Sequence, residues 1–154
     1  MSGDPAEIGR TALFGGLGAE ELEEVARRLR RDRFATGAEI VREGEPGRRM
    51  YLIESGSAEV VKAGGPREPA QRIGTLGPGD CFGEMALVDI QPRSATVRAL
   101  EATTTLSMSG PDLFSIRHWR PETFAAIALN LAREISRRLR RTDALAAEFL
   151  TTRR

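Results

Sequence analysis

Glu84 and Arg93 are two opposite charges in one short segment, and they are the residues of this sequence best placed to do chemistry. The segment reads Phe82-Gly83-Glu84-Met85-Ala86-Leu87, then Val88-Asp89-Ile90-Gln91, then Pro92-Arg93-Ser94-Ala95-Thr96-Val97, and the turn Gly77-Pro78-Gly79-Asp80 precedes it. Gly83 lets a ligand come close to the main chain. Met85-Ala86-Leu87 suits one helical turn whose leading N–H groups are free to meet an anion. Pro92 stops that turn, and strand alternation then puts Arg93, Ala95, Val97 and Ala99 on one face, with Ser94, Thr96 and Arg98 on the other. A guanidinium on an apolar face costs several kcal/mol unless it is paired, and its planar fork fits two oxygens of a phosphate or a carboxylate. Residue chemistry leaves two readings open. In one, Arg93 and Glu84 form an internal ion pair that closes the mouth of the fold. In the other, Arg93 and the turn hold a phosphate while Glu84 accepts a hydrogen bond from a sugar hydroxyl, which describes a nucleotide whose phosphate and ribose lie close together.

The elements that must position this segment follow from the spacing of apolar residues. Gly18 to Arg33 predicts a first helix, with Glu20, Glu21, Glu23 and Glu24 at its positive end and Leu22, Val25, Ala26 and Leu29 as its buried stripe. From Phe34 to Ser109 the pattern is of short apolar runs: 39–41, 50–55, 58–62, 72–76, 95–100 and 103–108. Gly44-Glu45-Pro46-Gly47, Ser55-Gly56-Ser57, Gly64-Gly65-Pro66 and Gly77-Pro78-Gly79-Asp80 interrupt them. Short strands at this spacing predict a mainly β fold, a β-roll or jelly roll with flanking helices. Gly110-Pro111-Asp112 opens a short helix over 110–119. A long C-terminal helix follows over 121–150, where Glu122 to Leu150 contain neither glycine nor proline. At about 1.5 Å per residue that helix is roughly 43 Å long, more than a single domain of this size covers on one side. Its stripe of Phe124, Ala128, Leu131, Ile135, Leu139, Thr142, Leu145 and Phe149 suits a facing helix, so a homodimer through this helix is expected.

Composition excludes several classes. The 154 residues are 40% hydrophobic and 29% charged with a net charge of +1, which fits one domain, 1–154, and gives no global attraction to nucleic acid. One histidine, His118, cannot build a multi-histidine metal centre, and that argues against a metal-dependent enzyme on a β-roll. His118 and Trp119 are expected to pack. Cys81 has no second cysteine and no basic neighbour in sequence, so an unreactive thiol is expected. No apolar run reaches the roughly 20 residues of a membrane span, and the N-terminus lacks the pattern of a signal peptide, so a cytoplasmic protein is predicted.

At 82–97 the sequence resembles the cyclic nucleotide-binding domain family, in the segment that family uses as its phosphate-binding cassette. The likeness extends to Leu13-Phe14-Gly15-Gly16-Leu17, to Gly44-Glu45-Pro46-Gly47 and to Tyr51-Leu52-Ile53-Glu54-Ser55-Gly56. The resemblance implies that Arg93 binds a cyclic phosphate and Glu84 the ribose 2'-hydroxyl. Main-chain groups around Gly83, Met85, Ala86 and Ala95 complete the cradle, and Ser94 adds a hydroxyl. Leu76, Cys81, Phe82 and Val97 are implied as the apolar wall. In some members a threonine and a serine on the long helix meet the base. Thr142 takes the first place here, Asp143 stands where the serine would be, and Arg138 or Arg141 is the alternative base cap. The implied ligand is cAMP, with cGMP as the alternative since Ser94 can assist a guanine, and no cofactor is implied.

The output expected is a sensor and not an enzyme. Ligand closes the cassette, and the long helix passes the event to a downstream protein that the sequence does not name. Members that regulate transcription continue into a helix-turn-helix after the long helix. This chain ends at Arg154, so no sequence-specific DNA binding is expected, and Arg133, Arg137, Arg138, Arg140 and Arg141 read as a solvated face. A regulatory domain belonging to a larger channel, transporter or enzyme, or an interaction domain that has lost binding, are the alternatives.

Overall fold

The computed structural model describes residues 3–152. Two four-stranded antiparallel sheets form a β-roll, in the orders β1-β8-β3-β6 and β2-β7-β4-β5. The strands are β1 (Arg30–Phe34), β2 (Glu39–Val41), β3 (Arg49–Ser55), β4 (Ala58–Lys62), β5 (Gln71–Leu76), β6 (Cys81–Phe82), β7 (Thr96–Ala99) and β8 (Thr103–Ser109). Helices α1 (Pro5–Ile8) and α2 (Ala19–Arg28) precede the roll, and α3 (Gly110–Trp119) and α4 (Pro121–Thr152) follow it. The mainly β fold with flanking helices is therefore as the sequence predicts. Among the described residues no helix is long and apolar enough to cross a membrane.

Strand alternation feeds two cores from one strand. Met50 and Leu52 on β3 face the helices, where they join Phe14, Val25, Leu106, Met108, Ile116 and Ile127. Tyr51 and Ile53 face into the roll with Ile40, Ala58, Phe82 and Val97. The helices are thus fixed to the outer face of one sheet, and the interior of the roll is left to shape a cavity.

The first helix ends earlier than expected. It spans Ala19–Arg28, Leu29 is already extended, and Arg30–Phe34 is a strand paired along its whole length with β8, from Arg30↔Ser107 to Phe34↔Thr103. The run Arg30-Arg31-Asp32-Arg33 looks like a basic helix end, but tertiary pairing outweighs that local signal. The roll therefore begins at 30 and not at 34. Helix α1, which the periodicity of the sequence does not reveal, is capped by Asp4, whose side chain accepts from the Ala6 N–H, and carries Pro5 in its first turn.

Helix α3 starts on a reciprocal cap between Ser109 and Asp112. Trp119 packs on the core, whereas His118 is exposed, against expectation. The buried face of α4 is Thr123, Ile127 and Leu131, with Phe124 and Ile135 half-buried against the core. Asn130 donates to the Leu13 and Gly15 carbonyls at 3.0 and 2.9 Å, and Thr123 donates to the Glu21 carboxylate, so the first half of α4 is tied to the N-terminal segment. From Ser136 onward every described residue of α4 is exposed.

Candidate functional site

Two turns bring the cassette together. Gly77-Pro78-Gly79-Asp80 closes on itself, the Gly77 N–H donating to Asp80 Oδ2 at 2.8 Å and the Asp80 N–H to the Gly77 carbonyl at 3.0 Å. It delivers Cys81 and Phe82 to pair with β3, and Gly83 then takes φ +73°, a left-handed conformation that side chains disfavour. One 3₁₀ turn, Glu84–Leu87, follows, where the sequence predicts a helical turn over Met85-Ala86-Leu87. The second turn, Gly44–Gly47, is clipped to the return strand. Arg93 N–H donates to the Glu45 carbonyl at 2.8 Å, Gly44 N–H to the Arg93 carbonyl at 2.9 Å and Gly47 N–H to the Gln91 carbonyl at 2.9 Å. Arg93 is held by its backbone before its side chain makes any contact.

The side chains beyond Pro92 alternate as expected. Ala95, Val97 and Ala99 are buried and Arg93 is half-buried on their side, while Ser94 is exposed and Thr96 and Arg98 are half-buried on the other. Arg93 lines a cavity of about 420 Å³, a volume in the range of small-molecule sites. The cavity also takes in Gly83, Ser94, Ala95, Leu76, Phe82, Val97 and, from α4, Arg138, Arg141 and Thr142. Thr142 is exposed, and its hydroxyl donates to the Arg138 carbonyl one turn back at 3.0 Å. Val41, Val60, Ile73, Gly74 and Thr75 complete the lining, and the sequence reading did not include them. They come from β2, β4 and β5, whose sheet is assembled only in three dimensions.

Four residues implied for the site lie off that lining: Cys81, Glu84, Met85 and Ala86. Glu84 is buried at 2% exposure and opens on an adjoining recess of about 250 Å³ with Cys81, Glu134, Arg138 and Arg141. Met85 is 52% exposed. Ala86 is buried on the far side of the turn, and its N–H donates to the Gly83 carbonyl at 3.0 Å, so that amide is already engaged.

The internal Arg93–Glu84 ion pair is absent. Glu84 instead meets Arg138 of α4, whose Nη1 donates to Oε2 at 2.9 Å and whose Nη2 lies 2.6 Å from Oε1, while Nη2 also donates to the Cys81 carbonyl at 2.8 Å. The Nη2–Oε1 approach is close but lacks hydrogen-bond alignment, so Oε1 is buried with an unused acceptor position. Burial pushes the Glu84 carboxyl above its ordinary value, and the Arg138 charge works against that rise. Burial likewise lowers the Arg93 guanidinium below its ordinary value, with a smaller opposing effect from Tyr51. The Arg93 Nη2 donates to the Arg49 carbonyl at 2.8 Å, and among the described residues no carboxylate lies within ion-pair distance of it. The Cys81 thiol is pushed up to about 12, chiefly by burial and then by the Glu84 charge, which suits an unreactive thiol; its side chain lines the recess beside Glu84 and not the Arg93 cavity.

This geometry can hold an anion with an attached hydroxyl. The cavity presents a forked cation with no carboxylate at ion-pair distance among the described residues, and the adjoining recess presents a buried carboxylate oxygen that is ion-paired to Arg138 but accepts no aligned hydrogen bond. Sequence reasoning listed Arg138 as a base cap and missed its contact with Glu84, because no local signal connects residues 54 positions apart.

Comparison with known proteins points the same way. Over 151 residues the chain is 32% identical to the CRP-like cAMP-activated global transcriptional regulator of Mycobacterium tuberculosis, covering 94% of this chain and 62% of that protein. The chain thus spans about 62% of the length of that curated relative. The crystal structure of Thermus thermophilus catabolite activator protein superposes with a TM-score of 0.80 at 32% identity, over 92% of this chain and 63% of that one. The regulatory domain of Toxoplasma gondii PKA, solved with cAMP, gives a TM-score of 0.71 at 29% identity, over 86% and 48%. Residues 31–118 match the family profile of the cyclic nucleotide-binding domain, a match that takes in β1 from its second residue, β2 to β8, both turns and the Glu84–Arg93 cassette; the chain belongs to the cyclic nucleotide-binding domain family.

Proposed function

We propose that this chain is a cyclic nucleotide sensor, with cAMP as its ligand and cGMP as the alternative, and that α4 passes ligand occupancy to a partner. The observation that carries the reading is Arg93, a half-buried guanidinium on the wall of a nucleotide-sized cavity with no carboxylate among the described residues at ion-pair distance. Its fork receives the cyclic phosphate, and Ser94 and the main chain at Gly83 and Ala95 close around it. For Ala86 to join them, its N–H must share or release the Gly83 carbonyl.

Glu84 Oε1 supplies the acceptor for a ribose hydroxyl. Arg138 makes α4 responsive, because the same carboxylate serves ligand and helix. A hydroxyl arriving at Glu84 changes what Arg138 is bound to, and α4 carries that change to its exposed far half. The ligand shifts the helix only by the difference in its affinity for the two arrangements. Thr142, with Arg141 beside it on the cavity wall, is the group we assign to the base. A second reading, the regulatory domain of a longer protein, is favoured by the 62% span of the curated relative and leaves the same site in use.

Titration calorimetry with cAMP, cGMP and a cyclic dinucleotide tests the binding step. One cyclic mononucleotide is expected to bind at about micromolar concentration, cAMP the tighter. Silence for all of them at millimolar ligand overturns the reading in favour of a domain that keeps the fold without the ligand.

A further inference from the structure

Among the described residues no acid holds the Arg93 charge in place, so a neutral group must fix its direction. The aromatic ring of Tyr51 lies 5.8 Å from the guanidinium carbon and is itself stacked on Phe82, centroids 5.1 Å apart and planes 11° apart. Tyr51 and Phe82 are also paired residues across β3 and β6, so backbone register and ring stacking fix the same face. The opening beside the guanidinium is made by glycine. A Cβ at Gly47 would stand 3.0 Å from Arg93 Cζ and Nε and 3.1 Å from Nη1. A Cβ at Gly83 would stand 2.5 Å from Nη1.

We propose that Tyr51 and Gly47 are positioning residues for Arg93: the ring face and the missing side chain together direct the guanidinium fork toward the cavity while leaving its charge unopposed. The proposal rests on the nucleotide reading above and extends it to residues that do not touch the ligand. The physical advantage is that of an orienting contact with no countercharge. A carboxylate in that place would have to be displaced by the incoming phosphate, whereas a π face and the Arg49 carbonyl hold direction and remain compatible with an anion on the other side.

The test measures cAMP affinity by calorimetry for Tyr51→Leu, Tyr51→Phe and Gly47→Ala, repeats Tyr51→Leu in an Arg93→Ala background, and follows the Arg93 Nε–H signal by nitrogen-15 NMR. Tyr51→Leu is expected to weaken binding about three- to five-fold, the size of a cation–π contact. Tyr51→Phe restores it, and Tyr51→Leu adds nothing once Arg93 is gone. Gly47→Ala weakens binding with a melting temperature close to that of the original chain, since the flexible guanidinium gives way by tenths of an ångström. Unchanged affinity in Tyr51→Leu, or an equal loss with and without Arg93, overturns the proposal. Should Tyr51→Leu fail to fold, Gly47→Ala decides by the same readout. Should the original chain bind no cyclic nucleotide, the nucleotide reading falls. The NMR signal still decides the positioning: a sharp, slowly exchanging Arg93 Nε–H that Gly47→Ala broadens supports it, and a mobile Arg93 in the original chain overturns it.

Discussion

Replacing Arg93 by lysine keeps the charge and removes the fork, so it separates bidentate phosphate recognition from simple attraction. Affinity for cAMP is expected to fall by about ten-fold or more in Arg93→Lys, and further in Arg93→Ala, with little change in melting temperature. Calorimetry and a thermal melt on each variant check both halves. Glu84 gives a pH-dependent counterpart. Burial raises its folded-state pKa above the ordinary 4.5, so the stability it contributes is fully present below about that pH and is lost as pH rises through the folded value. Thermal melts of the original chain and of Glu84→Gln should therefore diverge toward pH 4 in favour of the original chain, and the advantage should shrink toward pH 8. Glu84→Gln should also weaken cAMP binding more mildly than either Arg93 change and narrow the preference for cAMP over its 2'-deoxy analogue. An unaltered preference would remove Glu84 from ribose recognition.

At the scale of elements, α4 is the one whose two halves differ. Its first half is held by Ile127 and Leu131 in the core and by Asn130 on the Leu13 and Gly15 carbonyls. Beyond Ser136 it touches the cassette through the Arg138 contacts with Glu84 and Cys81. Arg138→Ala is expected to lower stability by about 1 kcal/mol, a value kept small because the arginine side chain is 45% exposed and screened by water. In a chain of this size that is a melting shift of about 3 °C. The more telling readout is amide hydrogen exchange. Exchange over 134–142 and 81–84 should speed up in Arg138→Ala without ligand, and the response of 134–142 to cAMP should fade even where cAMP still binds. A helix response to ligand that survives in Arg138→Ala would move the relay elsewhere.

The molecule as a whole leaves the far half of α4 uncovered. Leu139, Leu145 and Leu150 are 61%, 66% and 70% exposed, and the helix continues past the roll with the apolar spacing of a two-helix seam. A homodimer through this half is the economical way to bury them. Sedimentation of the chain at tens of micromolar should give a dimer, and Leu145→Asp should give a monomer with the fold intact. A monomer from both would leave α4 free for another protein.

Much of this protein is written in local sequence. The strand–turn–strand rhythm of 39–109, the glycine at 83, the 3₁₀ turn after it and the apolar face that Arg93 shares with Ala95 and Val97 all follow from preferences acting over a few residues. The same locality misled at Arg30–Phe34, where a basic run suggestive of a helix end is a strand because β8 offers it backbone partners. Local sequence could not choose the partners of the two charges either. Glu84 has Arg93 nine positions away and pairs with Arg138 instead, and Arg93 ends beside Tyr51 and between two glycines, because chain folding and not sequence distance sets which groups share a low-dielectric space. Residue types and spacing determined that a carboxylate and a cation would stand on one short turn-and-strand segment of a mainly β fold. Only the tertiary structure decided that they do not cancel one another, since burial and register, which are cooperative over the whole chain, fix distances that no single segment contains.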